Sequence, residues 1–206
     1  MKMIHARVVI AVFFLMTIVG CTGTSQPSKF YLLTSLADSG SGTEKARIAE
    51  NIAIGVGPVK LPEYLERPQI ITRTSENELH LAEFDRWAGS LSEDVSRVLA
   101  ENIATLLGID RIVIYPWRRS SLIDYQIEVN VLRLEGSLGG DVFLKTRWAI
   151  FSDNGKKIHI VKTSQIREST SDRTYTALVA GESRALERLS SEISVALGGL
   201  LSDKSD

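Results

Sequence analysis

Catalysis needs nucleophiles, acids and bases that converge, and this chain is poor in all three. It has a single cysteine, Cys21, and three histidines, His5, His80 and His159. One cysteine allows no disulfide within the chain. His80 lies in an expected strand between Leu79 and Leu81, and His159 alternates with Ile158 and Ile160, so it should face away from them. Two histidines on separate strands fall short of the three or four ligands that zinc takes. No metal and no cofactor are expected. Glu93-Asp94 is a carboxylate pair, but it stands where a helix should begin, and acidic side chains there favour the helix dipole. Gly55-Val56-Gly57-Pro58 is too short and too proline-bound to cradle a phosphate, and Gly136 to Gly140 lacks the Lys and Ser/Thr of a P-loop. No Gly-x-Ser-x-Gly elbow occurs. No catalytic residue is assigned, and a hydrolase with dispersed residues finds little support.

The position of the one thiol is more informative than its reactivity. Lys2, His5 and Arg7 precede Val8 to Val19, a run in which only Thr17 is polar. That run is shorter than the about 20 apolar residues of a membrane-spanning helix. It fits the apolar region of a secretory signal, with small Gly20 before the expected cut. Ile18-Val19-Gly20-Cys21 resembles the bacterial lipobox, although Val19 is bulkier than the Ser or Ala usual there. An ordinary signal with an incidental cysteine and an uncleaved anchor are the competing readings. The expected layout is a removed signal (1–20), a lipidated Cys21 with a short tether (21–28), one periplasmic domain (29–202) and a polar tail (203–206). One acyl chain holds a membrane only marginally, at about 0.8 kcal/mol per buried CH₂, so the two or three chains of mature bacterial lipoproteins imply long-lived attachment. Thr22, not Asp, follows the cysteine. By resemblance to the enterobacterial sorting rule, this favours the outer membrane, facing the periplasm.

Charge excludes one class of partner. Lys and Arg total 24 against 25 Asp and Glu, a net charge of −1, and loss of Lys2 and Arg7 makes the mature chain more acidic. That balance lacks the basic footprint of a nucleic-acid binder.

The elements that would carry any site follow from periodicity. Lys29 to Leu33 reads as a first strand, and Asp38 to Thr43 as a Gly/Ser loop. Ile52, Ile54 and Val56 alternate as in a half-buried strand. Gln69 to Arg73 and Glu78 to Leu81 read as a hairpin through Ser75-Glu76-Asn77. Leu91, Val95, Val98, Leu99, Ile103, Leu106 and Leu107 form the stripe of a helix from Ser90 to Leu107. Ser90 and Glu93 make its capping box, and Gly108 its end. Arg111 to Tyr115 is a strand stopped by Pro116. Three antiparallel strands follow. In the first, Tyr125, Ile127, Val129 and Val131 alternate, then the apolar set shifts to Leu132 and Leu134, which allows a bulge. Asn154-Gly155 predicts the last hairpin turn. A final helix spans 173–201, capped by Ser171 or Asp172, with Gly181 able to interrupt it. The fold class is α/β: a mixed, largely antiparallel sheet packed by two long helices.

The stretch from Pro58 to Pro68 is the least ordinary. It sets Leu61, Pro62, Tyr64 and Leu65 among prolines and charges, and Trp87 precedes the first helix. It reads either as a loop packed on the sheet or as a surface for another protein, since rigid aromatic and aliphatic anchors favour binding hot spots. Phe30 to Leu33, Gly55 to Arg73, Asn77 to Leu81 and Arg86 to Leu91 together resemble the PqiC-like lipoproteins of the ABC-type transport auxiliary lipoprotein family. The likeness runs through the mature chain in element order and is strongest from Gly55 to Leu107. It implies a non-enzymatic envelope component, anchored through Cys21, that docks an MCE-domain protein carrying lipids between membranes and that could form a homo-oligomeric ring. Leu61, Pro62, Tyr64, Leu65 and Trp87 match the family pattern as candidate contacts. An independent lipid-binding lipoprotein is the alternative.

Overall fold

The computed structural model describes residues 26–38, 40, 52–118 and 122–202. The expected signal, Cys21, the start of the tether and the tail 203–206 lie outside them, as does most of the Gly/Ser loop. Eight strands and two helices follow in order: β1 (Lys29–Tyr31), β2 (Ile54–Lys60), β3 (Gln69–Ser75), β4 (Glu78–Trp87), α1 (Leu91–Leu107), β5 (Ile112–Ile114), β6 (Tyr125–Gly136), β7 (Asp141–Ser152), β8 (Lys157–Ser169) and α2 (Tyr175–Ser202). This is the expected mixed α/β arrangement.

β6 organises the sheet. On one side it pairs antiparallel with β7, which pairs antiparallel with β8. On the other side its edge is shared. Its first half runs parallel to β2, from Ile54↔Tyr125 to Lys60↔Asn130, and its last residue meets β3 at Thr72↔Gly136. β5 adds beyond β2, while β4 and then β1 add beyond β3. The sheet therefore forks into two wings, and the chain from Leu61 to Pro68 lies at the fork. The antiparallel ladders are the long ones and the parallel ones short, so the sheet is largely antiparallel by extent.

One face of this sheet is covered. Ile127, Val129, Val131 and Leu134 of β6 and Val142, Leu144, Trp148 and Ile150 of β7 are buried in one cluster with the apolar stripes of both helices. The bulge occurs as expected: Val131 pairs with Thr146 and Arg133 with Lys145, so Leu132 is the extra residue and stays 43% exposed. At the β7–β8 turn, Asp153, Asn154 and Gly155 all adopt positive φ, which Asn and Gly tolerate best. Ser90 caps α1 by accepting from the Glu93 amide, and Gly108 closes it in the left-handed region.

Four expectations need correction. β2 is not half-buried, because every residue from Ile54 to Gly57 is buried, with Trp117 and Ile123 close over Gly55. Nor does Pro58 begin a loop, since β2 continues through it to Lys60, with one extra residue against β6 between Val56 and Val59. Gly181 does not interrupt α2. A Cβ there would come within 2.9 Å of Val142 Cγ2, so the glycine lets an unbroken helix approach the sheet. Finally, Thr174 caps α2 by accepting from the Ala177 amide, and Asp172 acts one step back, accepting from the Thr174 amide.

After β1 the chain crosses the helices as a strap. The Leu33 amide donates to Asp94 Oδ2 at 2.7 Å, the Leu36 amide to Asn102 Oδ1 at 2.7 Å and the Thr34 amide to Ser183 Oγ at 3.1 Å. Leu33 itself is in the core. The segment nearest the expected anchor is thus fixed to both helices by side chains that satisfy buried amides.

Candidate interaction surface

The fork holds the candidate contacts. After Lys60 the chain leaves β6 and makes one 3-10 turn, Glu63–Leu65, closed by hydrogen bonds from the Leu65 amide to Pro62 O and from the Glu66 amide to Glu63 O. It rejoins the sheet at Gln69. Leu65 is 4% exposed and Trp87 6%, both in the core. Leu61, Pro62 and Tyr64 are half-buried. The Trp87 amide donates to Pro68 O at 2.7 Å, and the Ala88 amide to Tyr31 O at 2.9 Å. The end of β4 therefore ties the excursion to β1. Ser92 at the start of α1 donates to Glu66 at 3.4 Å. Whatever Leu65 and Trp87 contribute to a partner, they contribute by fixing this ridge from below. Only Leu61, Pro62 and Tyr64 offer surface.

Beside the ridge runs a groove of about 570 Å³, walled by Pro58 and Val59 of β2, Ser96 and Arg97 of α1, and Ile114, Tyr115 and Pro116 at the end of β5. Tyr115 is 52% exposed and its ring meets Trp117 edge-to-face at 5.3 Å. Its amide donates to Val56 O at 2.9 Å. Gly57, at φ 123, sits against it, and a Cβ there would come within 2.6 Å of Tyr115 Cβ. Only glycine lets the two wall strands come so close. Arg97 is held by Asp94 Oδ1 at 2.7 Å, Glu101 at 2.8 Å and Leu33 O at 2.7 Å. Pro58 and Pro116 both follow cis peptide bonds.

On the helix-free side of the fork lies an ionic network. Glu135 is 1% exposed. Arg73 grips it with two bonds, from Nε at 2.7 Å and Nη2 at 3.0 Å, and Arg133 Nε donates to the same carboxylate. The remaining Arg73 donor reaches the carbonyls of Ser75 and Glu76. Burial raises the pKa of the Tyr64 hydroxyl, with Glu135 adding to the rise and both arginines opposing it. This network ties β3 to the end of β6 at the fork. Sequence reasoning missed it, as it missed Ile114 and Tyr115. Alternation along β6 sets Glu135 opposite buried Leu134 but carries no sign that Arg73 covers it.

No catalytic constellation accompanies these features among the described residues. His80 is exposed, and His159 shares a hydrogen bond with Ser152 at 2.8 Å. Among the described residues no group of three or more His, Cys, Asp or Glu could hold a metal ion. Glu93 and Asp94 take helix and strap roles, and Glu182 is buried with its Oε2 unpaired.

A family model described as ABC-type transport auxiliary lipoprotein component matches residues 31–194. None of the curated proteins compared matches the chain. An uncharacterized protein of known structure gives a TM-score of 0.67 at 17% identity, over 84% of this chain and 99% of its own. A DUF330-family protein from Xanthomonas campestris gives 0.66 at 13% identity, over 86% of this chain and 99% of its own. At these identities the likeness carries the fold. PelC from Paraburkholderia phytofirmans, solved as a dodecamer, reaches only 0.42 at 15% identity, over 71% of this chain and 92% of its own. That is too distant for its assembly to bear on this one.

Proposed function

Because the chain belongs to the family of ABC-type transport auxiliary lipoprotein components, we propose that it is a non-enzymatic adaptor, anchored by lipid on Cys21 to the periplasmic face of the outer membrane, that docks an MCE-domain protein of an intermembrane lipid-transport system. Among the described residues no helix is long and apolar enough to cross a membrane, so attachment in this reading rests on the lipid.

The observation that carries the docking role is the rigid ridge and groove at the fork. Leu61, Pro62, Tyr64 and Tyr115 offer aromatic and aliphatic surface on a backbone fixed by the Pro68, Trp87 and Tyr31 hydrogen bonds. Rigid anchors lose little conformational entropy on binding, which is where affinity per contact comes from. The groove is open along its length rather than enclosed, which suits a protein segment better than a stored acyl chain. A ring of copies belongs to the same proposal and would place several grooves around one axis.

Affinity purification of the tagged lipoprotein from mildly solubilised envelopes tests this reading. An MCE-domain protein should co-elute with wild type and be lost with Tyr64→Ser/Tyr115→Ser, while Cys21→Ala should leave the membrane fraction. The mass of the complex reads the number of copies. A folded, membrane-bound protein that brings down no MCE-domain protein would refute the adaptor role.

A further inference from the structure

We propose that the helix-free face of the sheet is a membrane-contact surface for anionic phospholipid headgroups, so that the domain lies sheet-down on the bilayer that holds its anchor. The proposal rests on the lipid-anchor reading of Cys21.

Residues that pair across neighbouring strands share a face, and the register follows this face across the whole sheet. Phe30 pairs with Arg86, Arg86 with Gln69, and Gln69 alternates with Ile71 and Arg73. Arg73 reaches Glu135, which pairs with Phe143, which pairs with Arg167. Farther along β7, Arg147 pairs with Thr163, Ala149 with Val161 and Phe151 with Ile158. α1 and α2 pack on the opposite side; near the fork Ile71 and Glu135 are buried on this face too, but along β7 and β8 it is open, with Arg147, Ile158, Val161 and Arg167 exposed.

Its composition differs from that of the whole chain. Glu135 is neutralised by Arg73, which leaves Lys60, Arg133, Lys145, Arg147 and Arg167 against Glu128 and Asp141. The cations outnumber the carboxylates here, in a chain whose net charge is −1. Apolar side chains flank the cations. Ile158 is 59% and Val161 50% exposed at the β8 edge, and Phe30 is 66% and Leu32 56% exposed at the β1 edge. A shallow cleft of about 270 Å³ joins both kinds, with Lys60 and Arg147 beside Phe151, Ile158 and Val161. Basic side chains interleaved with apolar ones are what an anionic bilayer surface attracts.

The chain that follows the tether joins the sheet at its β1 edge. Seven residues lie between Cys21 and Lys29, and fully extended the eight steps span at most about 28 Å, at about 3.5 Å each. Six strands at about 4.8 Å spacing make a sheet of similar width. The β1 edge therefore stays close to the bilayer, and the first exposed apolar side chain after the tether, Phe30, already points to the helix-free side. With the sheet laid face-down from that edge, the basic rows of β6 to β8 come within a Debye length of the headgroups, about 8 Å in physiological salt.

Lipidation of Cys21 consumes the native thiol and leaves an introduced one unique. The lipidated protein is reconstituted in vesicles of phosphatidylethanolamine with phosphatidylglycerol, or of phosphatidylcholine alone. A polarity-sensitive fluorophore is carried by Ile158→Cys on the open face, or by Val195→Cys, 79% exposed on α2. Emission at 158 should shift to the blue with phosphatidylglycerol and much less with phosphatidylcholine, and emission at 195 should stay unchanged. Lys145→Glu/Arg147→Glu should remove most of the shift. Co-flotation with vesicles is read first. Failure to float refutes the anchor, and the proposal with it. Flotation without a shift at 158, or with equal shifts at both positions, refutes the face alone. A shift that follows protein concentration rather than lipid composition assigns the face to a second copy and also overturns the proposal.

Discussion

The two faces of the sheet handle polar groups in opposite ways. On the covered face, polar side chains are few and sit in apolar surroundings. Trp148 donates its indole N–H to Ser164 Oγ at 2.9 Å, Ser164 donates to Glu192 at 2.6 Å, and Lys162 lies over the Trp148 ring. Glu182 is 2% exposed, and its Oε2 is without a partner, as is Ser194 Oγ on the same helix. On the open face, the buried carboxylate of Glu135 is gripped by two arginines, and the guanidinium groups of Arg133 and Arg167 both lie over the Phe143 ring. A buried polar group costs free energy unless it is paired. The covered face thus sets stability, and the open face is left free for its residues to be chosen by what they meet.

The sharpest break in that contrast is expected at Trp148. It is 1% exposed, and truncating a buried tryptophan leaves a cavity and strands the Ser164–Glu192 pair. Trp148→Ala should lose about 3–5 kcal/mol, read as a lower urea midpoint at unchanged slope. A loss below about 1 kcal/mol would mean that the helices do not clamp the sheet as described.

Glu182 gives the next largest effect, and its pH dependence has a definite sign. Burial raises its pKa from 4.5 to about 8. Below the unfolded value both states are protonated and the folded state bears no penalty. As pH rises from about 4.5 towards 8, the unfolded chain releases a proton that the folded chain retains, so stability falls across that window and levels off above it. At about 1.4 kcal/mol per pKa unit, the change is a few kcal/mol. Glu182→Gln should flatten this slope in denaturation curves taken between pH 5 and 8. A parallel slope in the variant would place the titration elsewhere.

The same contrast explains what could be read from the sequence. The covered face is periodic, and periodicity is local: the α1 stripe, the Ser90 cap, Gly108, the Leu132 bulge and the Asn154-Gly155 turn all follow from neighbours a few residues apart. The stripe of α2 even includes position 182, at the same spacing as Leu178 and Leu186, but a glutamate there reads as an outward residue until the packing is seen. What escaped depends on distant partners. Arg73 and Glu135 are 62 residues apart. Gly57 and Tyr115 meet because two parallel strands, separated along the chain by β3, β4 and α1, lie side by side. Pro58 remained in a strand because β2 takes an extra residue where a loop was expected. For the candidate contacts, types and spacing singled out the Pro58–Pro68 segment, but whether a side chain faced in or out depended on the fork. That placed Leu65 and Trp87 inside and left Leu61, Pro62 and Tyr64 at the surface.

The smallest effect sharpens the comparison most. Arg147 is exposed on the open face, opposite Asn130 and Thr163 across its strands. Its alkyl stem can lie along the sheet while its guanidinium stays in water, so replacing it removes little burial and strands no buried partner. Arg147→Ser should change stability by no more than about 0.5 kcal/mol, in the same urea assay that registers the loss at Trp148. If the change is instead as large as at a core position, the residue is holding the fold, and the open face is not free to be shaped by a ligand. If stability is unmoved while attachment to anionic vesicles weakens, the charge is there for what lies outside the molecule, because nothing inside it depends on that charge.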